Sequence, residues 1–177
     1  MADRQALLKA RENITDRDAK ERAAAARLLP FLAGKRLALY VPLGAEADIL
    51  RFLPYSLDEC FVPHCLEGYR LEFARGDALQ KGTWGILEPT GPAVSKDEID
   101  VALIPLVGFD GVHRMGYGKG YYDRWLKDFR GLKIGLAFDE QETHLEPAAH
   151  DVDLDLVITP TRILHKQGKE DLYNDGL

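Results

Sequence analysis

DVALIPLVGFDGVHRMGYGKGYYDR, residues 100–124, combines three local patterns that decide the fold of this chain. Asp100 to Phe109 is almost continuously apolar, which is typical of a buried strand in a parallel sheet. Three glycines then alternate with larger residues, at positions 116, 118 and 120. From Tyr122 the apolar residues recur at i, i+3, i+4 and i+7, which predicts one face of a helix. A strand, a glycine-rich loop and a helix in this order predict an α/β unit.

The glycine-rich loop predicts an anion site. Glycine lets backbone N–H groups converge where side chains would block them, and a helix N-terminus behind the loop favours negative charge. Lys119 would add a compact cation, and Arg114 could bind a phosphate through two hydrogen bonds. The spacing matches neither G-x-G-x-x-G nor the P-loop, because no Ser or Thr follows Lys119. From the residues alone, a phosphate site and a simple tight turn both remain open.

Patterns on either side extend this unit to a whole domain. Residues 3–29 predict two helices that break near 13–16, with Thr15 capping the second helix and Pro30 ending it. We predict a single domain over residues 1–177, an α/β fold of three layers that is Rossmann-like, with a mostly parallel sheet and helices on both faces. The other predicted elements are strands at 36–43, 61–66, 69–74 and 132–138, a half-exposed strand at 152–158, a short helix at 47–53 and a loop at 75–98.

Composition excludes several classes of protein. The formal net charge of −6 argues against a general binder of nucleic acid or of membrane surfaces. No apolar run approaches membrane length, and the first residues carry no apolar signal core. Cys60 and Cys65 have no companions at zinc spacing, so buried thiols are expected. We expect a cytoplasmic protein without nucleic-acid or membrane partners, and a monomer.

Polar residues follow three predicted strands at the edge where ligands bind in α/β folds. Glu46 lies just past the first strand and Gln141 past the strand at 132–138, so both could border one crevice with the glycine-rich loop. Asp123, in the first turn of the predicted helix, has two interpretations. A carboxylate there favours the helix dipole. Beside bound phosphates it would instead require a cation such as Mg²⁺ between them.

Arg114 to Arg124 resembles the signature of the 5-formyltetrahydrofolate cyclo-ligase family, also called 5,10-methenyltetrahydrofolate synthetases, which usually reads R-L-G-Y-G-x-G-Y-Y-D-R. The resemblance extends in order over nearly the whole chain. Its further parts are Tyr40-Val41-Pro42 with Glu46, Gly85-Ile86-Leu87-Glu88-Pro89, Ile104-Pro105 with Phe109-Asp110, and Gln141, Pro147, His150-Asp151 and the strand from Leu154 to Thr159.

The resemblance implies an ATP- and Mg²⁺-dependent enzyme that converts 5-formyltetrahydrofolate into 5,10-methenyltetrahydrofolate, ADP and phosphate. ATP would phosphorylate the formyl oxygen, the folate N10 would attack, the ring would close and phosphate would leave. The protein would position both substrates and stabilise charge on the transferring phosphoryl group.

The resemblance also implies a role for each matching position. Lys119 and Arg114 would be catalytic, with Lys119 as the cation that stabilises the phosphoryl group. Asp123 and Asp151 would bind Mg²⁺. The ATP site would comprise Arg4, Arg114, Met115, Gly116, Tyr117, Gly118, Lys119, Gly120, Tyr121 and Tyr122. The folate site would comprise Val41, Glu46, Tyr117, Gly118, Lys119, Gly120 and Tyr121, with Glu46 accepting from the amino group and ring N–H of the pterin.

Three departures from the family pattern bear on these roles. The family has a Lys and, four residues on, an Arg, and both reach ATP. In this chain the Arg aligns with Arg4, and the position of the Lys falls before residue 1. Alternatively, Lys9 or Arg11 takes the role of contacting ATP. The segment from Asp110 to Arg114 is one residue shorter than usual. Asp151 opens its predicted strand, so either that strand is antiparallel or the loop at 139–150 crosses back over the site.

Two other functions remain open. A homologue could keep the nucleotide loop and act on another substrate, such as a sugar phosphate or a CoA ester. Alternatively, the chain could bind folate or nucleotide without catalysis. Glu46 and the intact loop from Tyr117 to Tyr121 argue against the first. The presence of Asp123 and Lys119 argues against the second, which only the incomplete N-terminal pair supports.

Overall fold

The computed structural model describes residues 3–82, 85–146 and 148–166, and the backbone of 170–172. Pro147, which is part of the sequence resemblance, lies outside these ranges. The helices and strands, in chain order, are α1 Arg4–Glu12, α2 Arg17–Leu28, β1 Leu37–Ala38, β2 Phe61–Leu66, β3 Arg70–Arg75, β4 Leu79–Lys81, β5 Leu87–Pro89, β6 Val101–Ile104, β7 Gly108–Asp110, β8 His113–Met115, α3 Tyr121–Leu126, β9 Leu132–Leu136, β10 Leu156–Ile158, β11 Arg162–His165 and β12 Glu170–Leu172.

An eight-stranded sheet forms the middle layer, in the order β12-β11-β10-β9-β6-β1-β2-β3. The five strands from β10 to β2 are mutually parallel. At the edges β3 pairs antiparallel with β2, β11 pairs antiparallel with β10, and β12 pairs antiparallel with β11. Two small hairpins, β4–β5 and β7–β8, lie outside the sheet. The parallel centre places the carboxyl ends of β1, β6 and β9 at one edge, which is where the predicted site residues begin.

The sheet separates two hydrophobic clusters. Alternate residues of the strands face opposite sides: Leu103 belongs to the cluster that includes Leu28 of α2, whereas Ile104 belongs to the cluster with Trp125 of α3. Trp125 stacks on Phe129 with ring centroids 4.6 Å apart. Helices therefore cover both faces of the sheet, and the predicted three-layer α/β fold is confirmed. In the part of the chain described, no helix is both long and apolar enough to cross a bilayer.

The long strand predicted at 100–109 ends early. β6 stops at Ile104, and residues 108–110 form a hairpin with β8 instead of continuing the sheet. Pro105 has no N–H to donate to a neighbouring strand, so the ladder cannot run through it. The break turns the chain away from the sheet and directs the glycine-rich loop toward α1.

Several other boundaries differ from the predictions. The strand at 36–43 is regular only at Leu37–Ala38, and the helix at 47–53 is only a 3-10 turn at 50–52. The predicted loop at 75–98 contains the β4–β5 hairpin and a 3-10 turn at 96–98. The N-cap of α2 is Asp16 in a left-handed conformation, so the prediction that Thr15 caps this helix is wrong.

β10 was predicted to be half-exposed, but its three residues are buried. It runs parallel to β9, which decides between the two alternatives for Asp151. The segment after β9 returns along the β7–β8 hairpin, where Thr143 N donates to Phe109 O at 2.9 Å and Leu154 N to Val112 O at 3.0 Å. The expectation of buried thiols holds for Cys60 and is wrong for Cys65, which is exposed.

Candidate active site

The glycine-rich loop lies over the guanidinium of Arg114. The side chain of Arg114 is only 4% exposed, and its Nε donates to Pro105 O at 2.8 Å. A Cβ added at Gly116 would lie 2.8 Å from Nη2 of Arg114, so a side chain there would displace this guanidinium. Gly118 and Gly120 have φ of +95° and +76°, which favour glycine. Burial lowers the pKa of Arg114, and the nearby Asp123 opposes that shift. A positive charge is thus held directly beneath the loop.

The first helix brings a second arginine to the loop. Arg4 Nε donates to Gly116 O at 2.9 Å, although 112 residues separate the two in sequence. This contact supports the alignment that placed the N-terminal arginine of the family at Arg4. The exposed guanidinium of Arg4 lies 3.4 Å from where a Cβ on Gly118 would sit, so it stays beside the loop surface.

Lys119 is the exposed cation at the tip of the loop. Its Nζ lies 5.7 Å from the centre of the Tyr69 ring. Tyr69 has φ +58° in the β2–β3 turn, is 46% exposed and packs edge-on against Tyr121 at 5.7 Å. Arg124 lies 5.8 Å from the same ring. No role for Tyr69 was predicted from the sequence. Its position directly after a turn glycine, Gly68, is the feature that could have indicated it.

Glu46, Tyr117 and Arg11 form one hydrogen-bonded chain. The Tyr117 hydroxyl donates to Glu46 Oε2 at 2.8 Å and accepts from Arg11 Nη2 at 2.8 Å. Glu46 Oε1 accepts from Leu43 N at 2.8 Å, and Arg11 Nη1 donates to Leu106 O at 3.1 Å. Glu46 and Arg11 are 7% and 5% exposed. The proposed folate carboxylate and the glycine-rich loop are therefore in direct contact. Arg11 is committed to this chain, which argues against it replacing the N-terminal lysine at ATP.

Helix α2 holds the segment that carries Glu46. Arg17 donates to Ala45 O, and its guanidinium lies 4.8 Å from the Phe138 ring. The buried carboxylate of Glu21 accepts from Asp48 N and from Arg51 Nη2. Arg17 and Glu21 therefore bind the backbone of residues 45–48 instead of facing only solvent. Val41, another predicted folate contact, is half-buried against the same core cluster.

Replacing Glu21 with alanine should lower the free energy of unfolding by about 1–3 kcal/mol, because it removes the acceptor of the part-buried Asp48 N–H and of Arg51. Urea unfolding followed by circular dichroism measures the change. Asp18→Ala is the matched control, since Asp18 pairs with the same Arg51 but is 78% exposed. The control should cost less than about 1 kcal/mol. Equal losses in both variants would contradict a supporting role for Glu21.

Gln141 does not face the crevice as predicted. Its Nε2 donates to Leu106 O and Val107 O at 3.0 and 3.1 Å, and its Oε1 accepts from Phe138 N at 2.8 Å. The residue is 1% exposed. All its polar atoms are used by the backbone, so Gln141 fixes the chain after β6 instead of contacting a ligand.

The two predicted metal ligands differ in their surroundings. Mg²⁺ is typically held by one or two carboxylates together with phosphate oxygens and water. Asp123 fits this chemistry: its side chain is 26% exposed, no described residue donates a hydrogen bond to it, and its nearest cation is Arg114 Nη1 at 3.9 Å. Asp151 accepts from Ala148 N at 2.8 Å and lies 3.6 Å from His150. Across the described residues, no group of three or more His, Cys, Asp or Glu side chains is arranged to hold a metal.

Affinity for folate, the substrate that the sequence resemblance implies, should fall in acid, and at a higher pH than the ordinary pKa of a glutamate would give. Burial raises the pKa of Glu46 above its usual 4.5, against the opposing hydrogen bonds from Tyr117 and Leu43. Only the carboxylate accepts two donors, so affinity should be lost as the pH falls through this raised pKa. The dissociation constant of 5-formyltetrahydrofolate, measured from about pH 8 to about pH 4, shows at which pH the affinity is lost. Glu46→Gln should remove that acid limb, and an unchanged limb in the variant would rule out Glu46 as its source.

The fold and the site together define an α/β protein in which a glycine-rich loop contacts a buried carboxylate, Glu46, that follows a parallel strand. The sequence matches the model of the 5-formyltetrahydrofolate cyclo-ligase family over residues 1–160. The chain therefore belongs to the 5-formyltetrahydrofolate cyclo-ligase family.

Individual relatives agree with this assignment. The 5-formyltetrahydrofolate cyclo-ligase of Mycoplasma genitalium is 33% identical over 132 residues, 70% of this chain and 72% of the relative. The structure of the Aquifex aeolicus 5,10-methenyltetrahydrofolate synthetase superposes with a TM-score of 0.78 at 30% identity, covering 98% of this chain and 95% of the other. The structure of the Mycoplasma pneumoniae 5,10-methenyltetrahydrofolate synthetase superposes with a TM-score of 0.71 at 27% identity, covering 89% of this chain and 96% of the other.

Proposed function

We propose that this enzyme converts 5-formyltetrahydrofolate to 5,10-methenyltetrahydrofolate, with ATP hydrolysed to ADP and phosphate. One observation carries the proposal beyond family membership: the Tyr117 hydroxyl joins the glycine-rich loop to the buried Glu46 carboxylate at 2.8 Å. The loop that we propose binds phosphate and the carboxylate that we propose binds the pterin edge are therefore neighbours. This arrangement would let the formyl oxygen meet the terminal phosphate of ATP.

The proposed reaction has two steps. The formyl oxygen attacks the terminal phosphorus of ATP and releases ADP, which leaves an iminium phosphate. The folate N10 then attacks the formyl carbon and releases its proton, the C–O bond breaks, and phosphate leaves as the ring closes. Phosphorylation is needed because an amide-like oxygen is a poor leaving group. Lys119 and the buried Arg114 supply positive charge where the transferring phosphoryl group gains negative charge.

The proposed binding residues divide between the two substrates. Glu46 would accept from the pterin donors, with Val41 beside it. Residues 117–121 would face the formyl end of folate, and Arg4 with residues 114–122 would bind ATP. The contact of Arg4 with Gly116 O supports the ATP assignment. A monomeric state and a cytoplasmic location stay predictions.

Asp123 and Asp151 would hold Mg²⁺ next to the ATP phosphates. The metal would neutralise phosphate charge that would otherwise repel the carboxylates. The available oxygens of Asp123 support its place in the set, whereas the inclusion of Asp151 rests on the family resemblance.

The decisive experiment incubates the purified protein with ATP, Mg²⁺ and 5-formyltetrahydrofolate and follows the near-ultraviolet absorbance of methenyltetrahydrofolate. Product should form only when ATP is present, with one ADP released per methenyltetrahydrofolate. Tight binding of both substrates without product would favour a non-catalytic binder. Failure to bind 5-formyltetrahydrofolate would favour a homologue with another substrate.

Asp123→Asn should raise the Mg²⁺ concentration needed for half-maximal rate by at least about tenfold, because one anionic oxygen ligand is lost. Titrating the rate with MgCl₂ at saturating ATP measures this. Asp128→Asn is the control, because Asp128 is an exposed carboxylate after α3 that pairs with Lys96. An unchanged Mg²⁺ dependence in Asp123→Asn would remove Asp123 from the metal site.

A further inference from the structure

We propose that Tyr69, in the turn between β2 and β3, is a positioning residue that holds the tip of the glycine-rich loop in place and so keeps Lys119 ready for phosphoryl transfer. The inference deepens the proposed function and rests on the role proposed there for Lys119. Tyr69 belongs to none of the sequence motifs and to neither of the two proposed substrate sites. The argument for its role comes from the backbone at this position and from what the ring contacts.

The backbone at Tyr69 is strained. Its φ is +58°, directly after Gly68 with φ +73°. Within the described ranges, Asp16 is the only other non-glycine residue with positive φ. A short polar side chain such as aspartate tolerates this conformation, whereas a bulky one rarely adopts it. Such strain persists where the surrounding structure offsets it, often at functional sites. A glycine would adopt the same backbone at less cost, so the contacts of the ring must account for a tyrosine here.

The Tyr69 ring contacts the tip of the glycine-rich loop and the start of α3. It packs edge-on against the Tyr121 ring, with centroids 5.7 Å apart and an interplanar angle of 79°. Lys119 Nζ and the Arg124 guanidinium lie 5.7 and 5.8 Å from its centre. The side chain is nevertheless 46% exposed, so it does not serve to fill the core. Aromatic pairs and cation–π contacts of this kind are each weak, but together they join the turn to the loop tip.

Arg124 transmits the contact with the ring to the loop backbone. Its Nη1 donates to Lys119 O at 2.7 Å, and a Cβ added at Gly120 would lie 2.7 Å from the same nitrogen. The guanidinium therefore lies against the backbone of residues 119–120 while also packing near the Tyr69 ring. The hairpin is itself fixed to α3, because Phe73 of β3 and Trp125 of α3 pack with centroids 4.7 Å apart. The turn is thus a firm support for the loop tip.

A ring is a suitable partner for this particular lysine. In the part of the chain that the structure describes, no carboxylate lies within ion-pair distance of Lys119. A carboxylate would neutralise the ammonium and repel the phosphates of ATP. The face of an aromatic ring attracts a cation without carrying an opposite charge. Tyr69 would therefore hold the loop backbone in place while the ammonium keeps its full charge and remains able to move toward the phosphoryl group.

Limited trypsin digestion tests this docking without any substrate. Trypsin cleaves after Lys119 only when the loop tip opens, and mass spectrometry identifies the fragment that begins at residue 120. Tyr69→Leu should speed this cleavage about tenfold, because it removes one aromatic pair and the cation–π contacts. Tyr69→Phe keeps the ring and should cleave within about twofold of wild type. Glu67→Ala, a truncation of an exposed side chain in the same turn, is the matched control and should change nothing. Unchanged cleavage in Tyr69→Leu would overturn the inference.

Kinetics test whether Tyr69 acts through Lys119. Tyr69→Leu should lower kcat about tenfold and change the dissociation constant of 5-formyltetrahydrofolate less than about threefold. Tyr69→Phe should restore kcat. In the Lys119→Ala background, Tyr69→Leu should cause no further loss, since the group that it positions is already absent. Additive losses of the two substitutions would show that Tyr69 does not act through Lys119.

Tyr69→Gly separates positioning from stability. Glycine relaxes the strained backbone, so the melting temperature should not fall, yet kcat should fall as in Tyr69→Leu. A lower melting temperature with unchanged kcat would show that Tyr69 is only structural. A wild-type protein without turnover would refute the proposed function, and trypsin digestion would still test the docking. Normal wild-type turnover that both substitutions leave unchanged would refute only this inference.

Discussion

Replacing Lys119 with alanine is expected to lower kcat by about 100-fold or more, the usual cost of removing one group that stabilises transition-state charge. Lys119 sits at the exposed tip of a loop whose other cation, Arg114, is buried and bound to Pro105 O. Its Nζ makes only a loose contact with the Tyr69 ring at 5.7 Å, so it can move to a phosphoryl group at little cost. Stopped-flow or steady-state formation of methenyltetrahydrofolate measures the loss.

The same variant should change the dissociation constant of 5-formyltetrahydrofolate by less than about threefold, because the lost interaction belongs to the transition state. Lys127→Ala serves as the control, since Lys127 is an exposed lysine at the end of α3. Lys127→Ala should leave both kcat and the dissociation constant of 5-formyltetrahydrofolate unchanged. Wild-type turnover in Lys119→Ala would show that another group stabilises the phosphoryl charge.

Glu46→Gln should weaken binding of 5-formyltetrahydrofolate by about 100-fold, as expected when a charged acceptor of two hydrogen bonds is lost in a buried site. The amide retains one acceptor oxygen and turns an N–H₂ group toward the pterin donors. Leu43 N and the Tyr117 hydroxyl also compete for the remaining oxygen. Isothermal titration calorimetry at neutral pH measures the change.

ATP binding should be less affected by this substitution, because the assigned nucleotide contacts lie on α1 and the glycine-rich loop. A non-hydrolysable ATP analogue should bind Glu46→Gln within about fivefold of wild type. Glu12→Gln, an exposed glutamate next to Arg11 at the end of α1, controls for the loss of charge alone. Folate affinity that survives in Glu46→Gln would move the pterin site elsewhere in the crevice.

Much of the fold could be predicted because its signals are local. Buried parallel strands read as apolar runs, and those at 101–104 and 132–136 were found where expected. The errors occur where a local pattern meets a tertiary constraint. The apolar run continues past Pro105, yet the sheet does not, since proline ends the ladder and Gln141 and Arg114 bind the carbonyls that follow. The alternation at 152–158 predicted an exposed face, but Leu156 and Ile158 pack into one core cluster and Val157 into the other, so both faces of β10 are buried.

The candidate site was predictable to a similar extent. Its glycine spacing, the lysine between glycines, and the carboxylates at 46 and 123 are visible in the sequence. The roles of Arg11, Glu21 and Tyr69 could not be predicted from the sequence. A charged residue on a short helix has the same pattern whether it faces water or the interior. Only the elements packed against the helix determine which one applies.

The sequence by itself determined the α/β class and the family, and it predicted an anion site at residues 114–124, because periodicity, glycine spacing and a long ordered match need no knowledge of contacts. The tertiary structure alone decided that Arg11 reaches Leu106 and Tyr117, which are 95 and 106 residues away. It also decided that Gln141 supports the backbone and that Glu46 shares a hydrogen bond with the glycine-rich loop. These contacts depend on burial and distance between remote segments, which arise only when the sheet brings the ends of its strands to one edge.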